Sequence, residues 1–216
     1  IYMNVMLPEA KEYWRGSGKT GQFNCIKLEP ELSGLSSDEI QELLEMKLWN
    51  YPEISIVESG QNNQDCLRLK LKVGLDAFDS ENRDLFSKQG YFLEVKSDGV
   101  ELVYEKRSGL VNGLSTLKQL FKKSDEGYYL EESTVKDWPT IEQRSVSNTF
   151  GWYAGYGRLG FDMQLWGYDE WVEYLNICSD FKINQFNMCM YGYWPFEFDE
   201  FPETVLKSYP VKVWNR

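Results

Sequence analysis

The amino-acid pattern predicts an α+β domain over residues 1–135, a mixed sheet with helices on one face, and a separate βαβ segment over residues 136–216. Three observations carry this reading. Two helical stripes, Ile40, Leu43, Leu44, Leu48 and Leu114, Leu117, Leu120, Phe121, lie among stretches in which apolar and polar residues alternate. An Asp98-Gly99 pair joins two of those stretches, as a tight antiparallel turn requires. Beyond Asp137-Trp138-Pro139 the order becomes strand, helix, strand, and a helical crossover of that kind joins parallel strands.

Residues 1 to about 30 read as an irregular or strand-bearing start, with Gly16, Gly18 and Gly21 as turn markers. Ser36-Ser37-Asp38-Glu39 forms a capping box, in which Ser36 bonds the Glu39 N–H and the Glu39 carboxylate reaches back. The helix it starts runs to Asn50-Tyr51-Pro52, since the residue before a proline disfavours helical geometry. Ile54 to Val57 is a short strand. Leu67, Leu69, Leu71 and Val73 alternate with Arg68, Lys70 and Lys72, a strand with one buried face. Tyr91, Leu93 and Val95 form one arm of the hairpin, and Val100, Leu102 and Tyr104 the other. Leu110 to Phe121 is helical, and Tyr128 to Val135 is extended.

In the second segment Arg144 to Phe150 is the first strand and Asn184 to Met190 the second. Tyr168 to Phe181 is an amphipathic helix with Trp171, Val172, Leu175 and Cys178 turned inward. Residues 151 to 167 form a Gly- and aromatic-rich loop without the Lys-Ser/Thr pair of a phosphate loop. One βαβ unit leaves both faces of its strands uncovered, so the segment is expected to be incomplete within this sequence.

Composition narrows the function. The net charge of −11 repels nucleic-acid backbones and anionic lipid surfaces. No apolar run approaches the ~20 residues of a membrane-spanning helix. The sequence opens at Ile1 without a basic or apolar leader, and the expectation is that any signal peptide has been removed. Cys25, Cys66, Cys178 and Cys189 contain no CxxC pair, which argues against structural zinc, while disulfides stay open. The absence of histidine excludes a Ser-His-Asp site or a His-ligated metal within these residues. No cofactor is implied. Aromatic residues make up 16% of the chain and gather after Phe150, as sugar stacking or a large aromatic core would require.

Two segments carry a family likeness. Tyr91-Phe92-Leu93-Glu94-Val95 and Gly109 through Leu120 match the patterns Y-x-L-x-V and G-x-x-x-G-L-x-T-L-x-Q-L, and Gly99-Val100-Glu101-Leu102 follows G-V-x-I with Leu102 in place of Ile. This resembles the accessory domain that precedes the barrel of family 20 β-N-acetylhexosaminidases. Similar domains precede the barrels of α-glucuronidases and α-N-acetylglucosaminidases. Val135 through Pro139 and on to Arg144 resembles the approach to strand 1 of those barrels, and Phe181-Lys182-Ile183-Asn184 the approach to strand 2. The resemblance implies an incomplete (β/α)8 TIM-barrel segment after the accessory domain. It also implies a secreted, periplasmic or cell-surface glycoside hydrolase acting on N-acetylhexosamine-containing glycans, with its catalytic carboxylates outside this chain. An α-glucuronidase and a noncatalytic carbohydrate-binding module are the alternatives. The sequence departs from family 20 at Asn184 to Cys189, which lacks the His-x-His stretch, and at Asn148, near where a strand 1 Asp would lie. Trp166 through Trp171 resembles the α-N-acetylglucosaminidase family instead.

Barrel enzymes carry their sites at the C-terminal ends of the strands. The candidates for substrate binding are therefore Arg144, Asn148, Trp152, Asn187, Tyr191, Tyr193 and Trp194. The resemblance makes Arg144 a binder of sugar hydroxyls, for which a guanidinium fork is suited; the alternative is an anchor between strand and accessory domain. The amides, phenols and indoles match hydroxyls and sugar faces, with packing as the alternative for each. Glu197, Asp199, Glu200 and Glu203 read as a solvated loop, and no catalytic residue is assigned.

Overall fold

The computed structural model describes residues 6–31, 34–57, 65–150 and 166–190. Its contacts divide the chain into two units. Unit 1 comprises residues 1–144 with 173–184, and unit 2 comprises 145–172 with 185–216.

Unit 1 is built on a seven-stranded mixed sheet. In chain order its strands are β1 (Glu12–Lys19), β2 (Cys25–Glu31), β3 (Ser55–Val57), β4 (Cys66–Val73), β5 (Tyr91–Lys96), β6 (Gly99–Tyr104) and β9 (Glu131–Asp137). They lie in the order β1-β9-β5-β6-β4-β2-β3. The β3, β2, β4 and β6 neighbours are parallel, and the β6, β5, β9 and β1 neighbours antiparallel. A separate two-stranded hairpin of β7 (Lys122–Ser124) and β8 (Gly127–Tyr129) bridges through Tyr128 to Phe23. The helices are α1 (Ser37–Lys47), α2 (Arg83–Gln89) and α3 (Arg107–Gln119).

The alternation read from sequence sets the sheet's two faces. Leu69, Leu71, Leu93, Leu102 and Val135 are almost fully buried, and they pack in one cluster with Ile40 and Leu44 of α1 and Leu110, Leu114 and Leu117 of α3. Each such side chain contributes about 1.5–3 kcal/mol of burial free energy. The intervening Arg68, Lys70, Glu94 and Glu101 occupy the other face and pair there, Arg68 holding Glu29 through both Nε (3.1 Å) and Nη2 (3.0 Å). The capping box at the start of α1 is present in both directions.

α2 is absent from the sequence reading. Only Leu85 and Phe86 mark its apolar side, too few to show a period. Asn82 starts it by accepting from the Leu85 N–H at 3.1 Å. Phe86 joins Leu75, Val103 and Trp138 in a second, smaller cluster, whose Val103 points away from the face carrying Leu102. Gly16 and Gly18, expected as turn markers, instead lie inside β1. A Cβ at Gly16 would come within 2.9 Å of the Glu132 Cβ, and one at Gly18 would overlap the Glu132 carboxylate. Cys25 and Cys66, register partners on β2 and β4, form a disulfide.

Unit 2 contains the pair β10 (Ser145–Phe150) and β11 (Gln185–Met190), which run parallel with Ser145 opposite Gln185. The crossover is α4 (Tyr168–Asp180), whose residues from Glu173 onward belong to unit 1. Strand, helix and parallel strand occur as the pattern predicts. The predicted inward face does not: no residue of α4 is buried, Val172 and Leu175 are 37% and 43% exposed, and Trp171 and Cys178 are half-buried. Trp171 meets Trp166 and Phe186 edge-on at 5.1 and 5.7 Å. Of the apolar stripe that periodicity identifies, Val172 and Leu175 stay exposed among the described residues. No described helix is long and apolar enough to cross a membrane.

Two outcomes test this packing. A Cβ at Gly109 of α3 would overlap the carbonyl oxygen of Gly90. Gly109→Ala should therefore lower stability in urea by about 1–3 kcal/mol, although alanine is the better helix former. Replacing both Cys25 and Cys66 by Ser, which opens a closure of 41 residues, should cost about 4 kcal/mol in the same assay.

Candidate functional site

Unit 1 buries charge where its elements meet the end of α4. Two lysine-centred clusters result. In the first, Lys47 lies on the apolar stripe of α1, one turn beyond Leu43 and Leu44, and is 2% exposed. Its ammonium donates to Ser115 Oγ (2.6 Å) and Ser179 Oγ (2.7 Å) and stands 3.7 Å from Asp180 Oδ1. Lys118 of α3 pairs with Asp180, and Trp49 Nε1 donates to Asp180 Oδ2 at 3.1 Å. Burial is the main cause that pushes the Lys47 ammonium down to about 8, with the Asp180 carboxylate opposing and Lys118 adding to it.

In the second cluster Lys182 Nζ donates to Asp137 Oδ2 at 2.7 Å and to Tyr91 Oη at 3.0 Å. The Tyr91 hydroxyl donates to Asp137 Oδ2 at 3.2 Å and lies 2.5 Å from Thr116 Oγ1. Lys182, Asp137 and Tyr91 are 6%, 7% and 0% exposed. Burial holds the lysine below its ordinary range and raises the tyrosine well above its own. A buried pair survives desolvation only with its remaining hydrogen-bonding capacity satisfied, and here Lys11 N–H supplies Asp137 Oδ1 at 3.1 Å. Lys11, Asp137 and Lys182 rim a cleft of about 520 Å³ whose lining also includes Gln89, Asn112 and Arg144.

Arg144 lies immediately before β10, at its N-terminal end. Nε donates to Lys182 O (2.8 Å), Nη1 to Ile141 O (2.8 Å) and Glu142 O (3.3 Å), and Nη2 to Gln89 Oε1 (2.9 Å). Four of its five N–H donors are thus committed inside unit 1. Asn148 and Asn187 lie on β10 and β11. Since Ser147 is the partner of Asn187, the two asparagines point to opposite faces of the pair. Asn187 is exposed and its Oδ1 accepts from Gln185 Nε2 at 3.0 Å. Trp152, Tyr191, Tyr193 and Trp194, with the acidic run Glu197, Asp199, Glu200 and Glu203, lie outside the described residues. The buried lysines are missing from the sequence reading. Lys47 and Lys118 nonetheless carry a sequence signal, since each sits on the leucine stripe of its own helix.

An α+β domain with two helices covering one face of a mixed sheet, followed directly by a parallel βαβ unit, defines the class. Residues 20–138 match the family model Glycosyl hydrolase family 20, domain 2, and the chain belongs to that family. No curated protein sequence matches the chain. The fold is shared with solved structures at low identity. One is a family 20 exo β-N-acetylglucosaminidase from Vibrio harveyi, at TM-score 0.66 and 15% identity over 93% of this chain and 28% of that one. A family 20 β-N-acetylhexosaminidase from Streptomyces coelicolor A3(2) gives 0.62 and 15% over 94% and 38%. A β-N-acetylhexosaminidase from Bacteroides fragilis gives 0.59 and 16% over 86% and 33%. The chain therefore spans about a third of the length of these proteins. The fold likeness also extends well past residue 138.

The depressed Lys47 fixes the sign of one pH effect. A base whose folded value is lowered binds fewer protons folded than unfolded, so stability rises with pH between about 8 and the ordinary lysine value of about 10.4. In Lys47→Met that alkaline gain should vanish, as urea titrations at pH 7, 8.5 and 10 would show.

Proposed function

We propose that this chain is the N-terminal part of a glycoside hydrolase acting on N-acetylhexosamine-containing glycans, with its catalytic carboxylates outside this chain. The observation that carries the reading is the domain 2 match over residues 20–138 followed at once by the parallel β10-α4-β11 unit. In this reading the unit is the opening of a (β/α)8 barrel. The exposed Val172, Leu175 and Ile177 of α4 support it, because further barrel elements would cover such a stripe.

One of Asn148 and Asn187, which face opposite sides of the pair, is a proposed substrate contact together with Trp152, Tyr191 and Trp194. They lie on the strands or directly after them, where amides bind hydroxyls and indoles stack on sugar faces. Arg144, with its donors engaged, enters the proposal as the residue that fixes the start of β10. The Cys25–Cys66 disulfide supports a secreted, periplasmic or cell-surface location, since cytosolic thiols are kept reduced.

The intact gene product should release nitrophenol from the 4-nitrophenyl N-acetylhexosaminides of a glycoside panel. Release from the glucuronide alone would replace this reading with an α-glucuronidase. Binding of N-acetylglucosamine oligomers without turnover of any panel member would replace it with a binding module.

A further inference from the structure

α4 ends in a Schellman motif. The Ile183 N–H bonds Cys178 O and the Lys182 N–H bonds Ser179 O, each at 3.0 Å. The residue between helix and strand in such a motif adopts the left-handed conformation and is usually glycine. Here it is Lys182, with φ of 60°. A side chain at that φ carries a backbone cost that glycine would remove. The same residue also brings an ammonium into a site where it is 6% exposed. Helix termination explains neither choice, because glycine would terminate the helix better.

What the lysine does is visible in its partners. Its ammonium is held by Asp137, the last residue of β9, and Tyr91, the first residue of β5. Two residues on, Asn184 pairs with Arg144 in both directions: the Asn184 N–H donates to Arg144 O at 3.0 Å, and the Arg144 N–H to Asn184 Oδ1 at 2.8 Å. Asn184 Nδ2 also donates to Glu142 O at 2.8 Å. The two stretches of chain that become β10 and β11 thus leave unit 1 already side by side. Their ladder opens one residue later, at Ser145 opposite Gln185.

We infer that Lys182 is a positioning residue: with Asp137 and Asn184 it forms a clamp through which unit 1 sets the parallel register of β10 against β11. A slip of one residue would turn every side chain of a strand to its other face, Asn187 among them. The inference concerns conformation and stands whether or not the chain belongs to a hydrolase.

Hydrogen exchange on the 216-residue chain separates positioning from plain stabilisation. Lys182→Met alone strands the Asp137 carboxylate and lowers global stability. Adding Asp137→Asn removes the buried charge, so the double variant should regain most of the lost melting temperature. If the clamp sets register, amides of Ser145–Phe150 and Gln185–Met190 in that double variant still exchange about tenfold faster than in the parent, while those of β5 do not change. Recovery of the β10 and β11 amides together with stability would overturn the inference. So would equal acceleration in β5. Asn184→Ala, at an exposed position that should leave folding intact, should give the same local acceleration, and unchanged exchange in both strands there would also refute the clamp.

Discussion

The contact on which the rest depends is the buried pair of Lys182 and Asp137. A charge pair taken out of water gains little unless its geometry is good and every other polar atom nearby is occupied. That condition reaches outward from the pair. Tyr91 and Thr116 complete the hydroxyl side, the Lys11 backbone completes the carboxylate, and the strand ends of β5 and β9 come into register to present them. The arrangement requires the start of the chain, the centre of the sheet and the end of α4 to be in place together.

Much of the sheet domain is legible in sequence because its signals are local. The Asp98-Gly99 turn, the Leu67 to Val73 alternation and the Ser36 capping box each act within a few residues, and each appears in the structure. β1 gives no such signal. It reads Glu-Tyr-Trp-Arg-Gly-Ser-Gly-Lys, and its strand state comes from pairing with β9, more than a hundred residues away. α2 is too short to show a period. The disulfide needs the register of β2 against β4, which spacing alone does not supply.

The polar interior is the part that sequence conceals. A lysine is ordinarily a surface residue, and Lys47, Lys118 and Lys182 count by composition as solvating charge. Each is buried only because a partner from a distant segment arrives: Ser179 and Asp180 for the first two, Asp137 for the third. The candidate sugar contacts are uneven for a related reason. Arg144 is legible as a guanidinium at a strand start, but whether its fork faces a ligand or the protein depends on Gln89 and the backbone of Lys182, which no motif specifies.

The two margins of the seven-stranded sheet are unlike its middle. One ends in β3, only three residues long, beside a strand stapled to β4 by the disulfide. The other ends in β1, where two glycines crowd Glu132 and the pairing with β9 breaks register between Arg15 and Lys19. Among the described residues neither border offers a long, flat row of free amides to a passing chain. Shortened on one side and broken on the other, the margins discourage edge-to-edge pairing although the sheet is not closed.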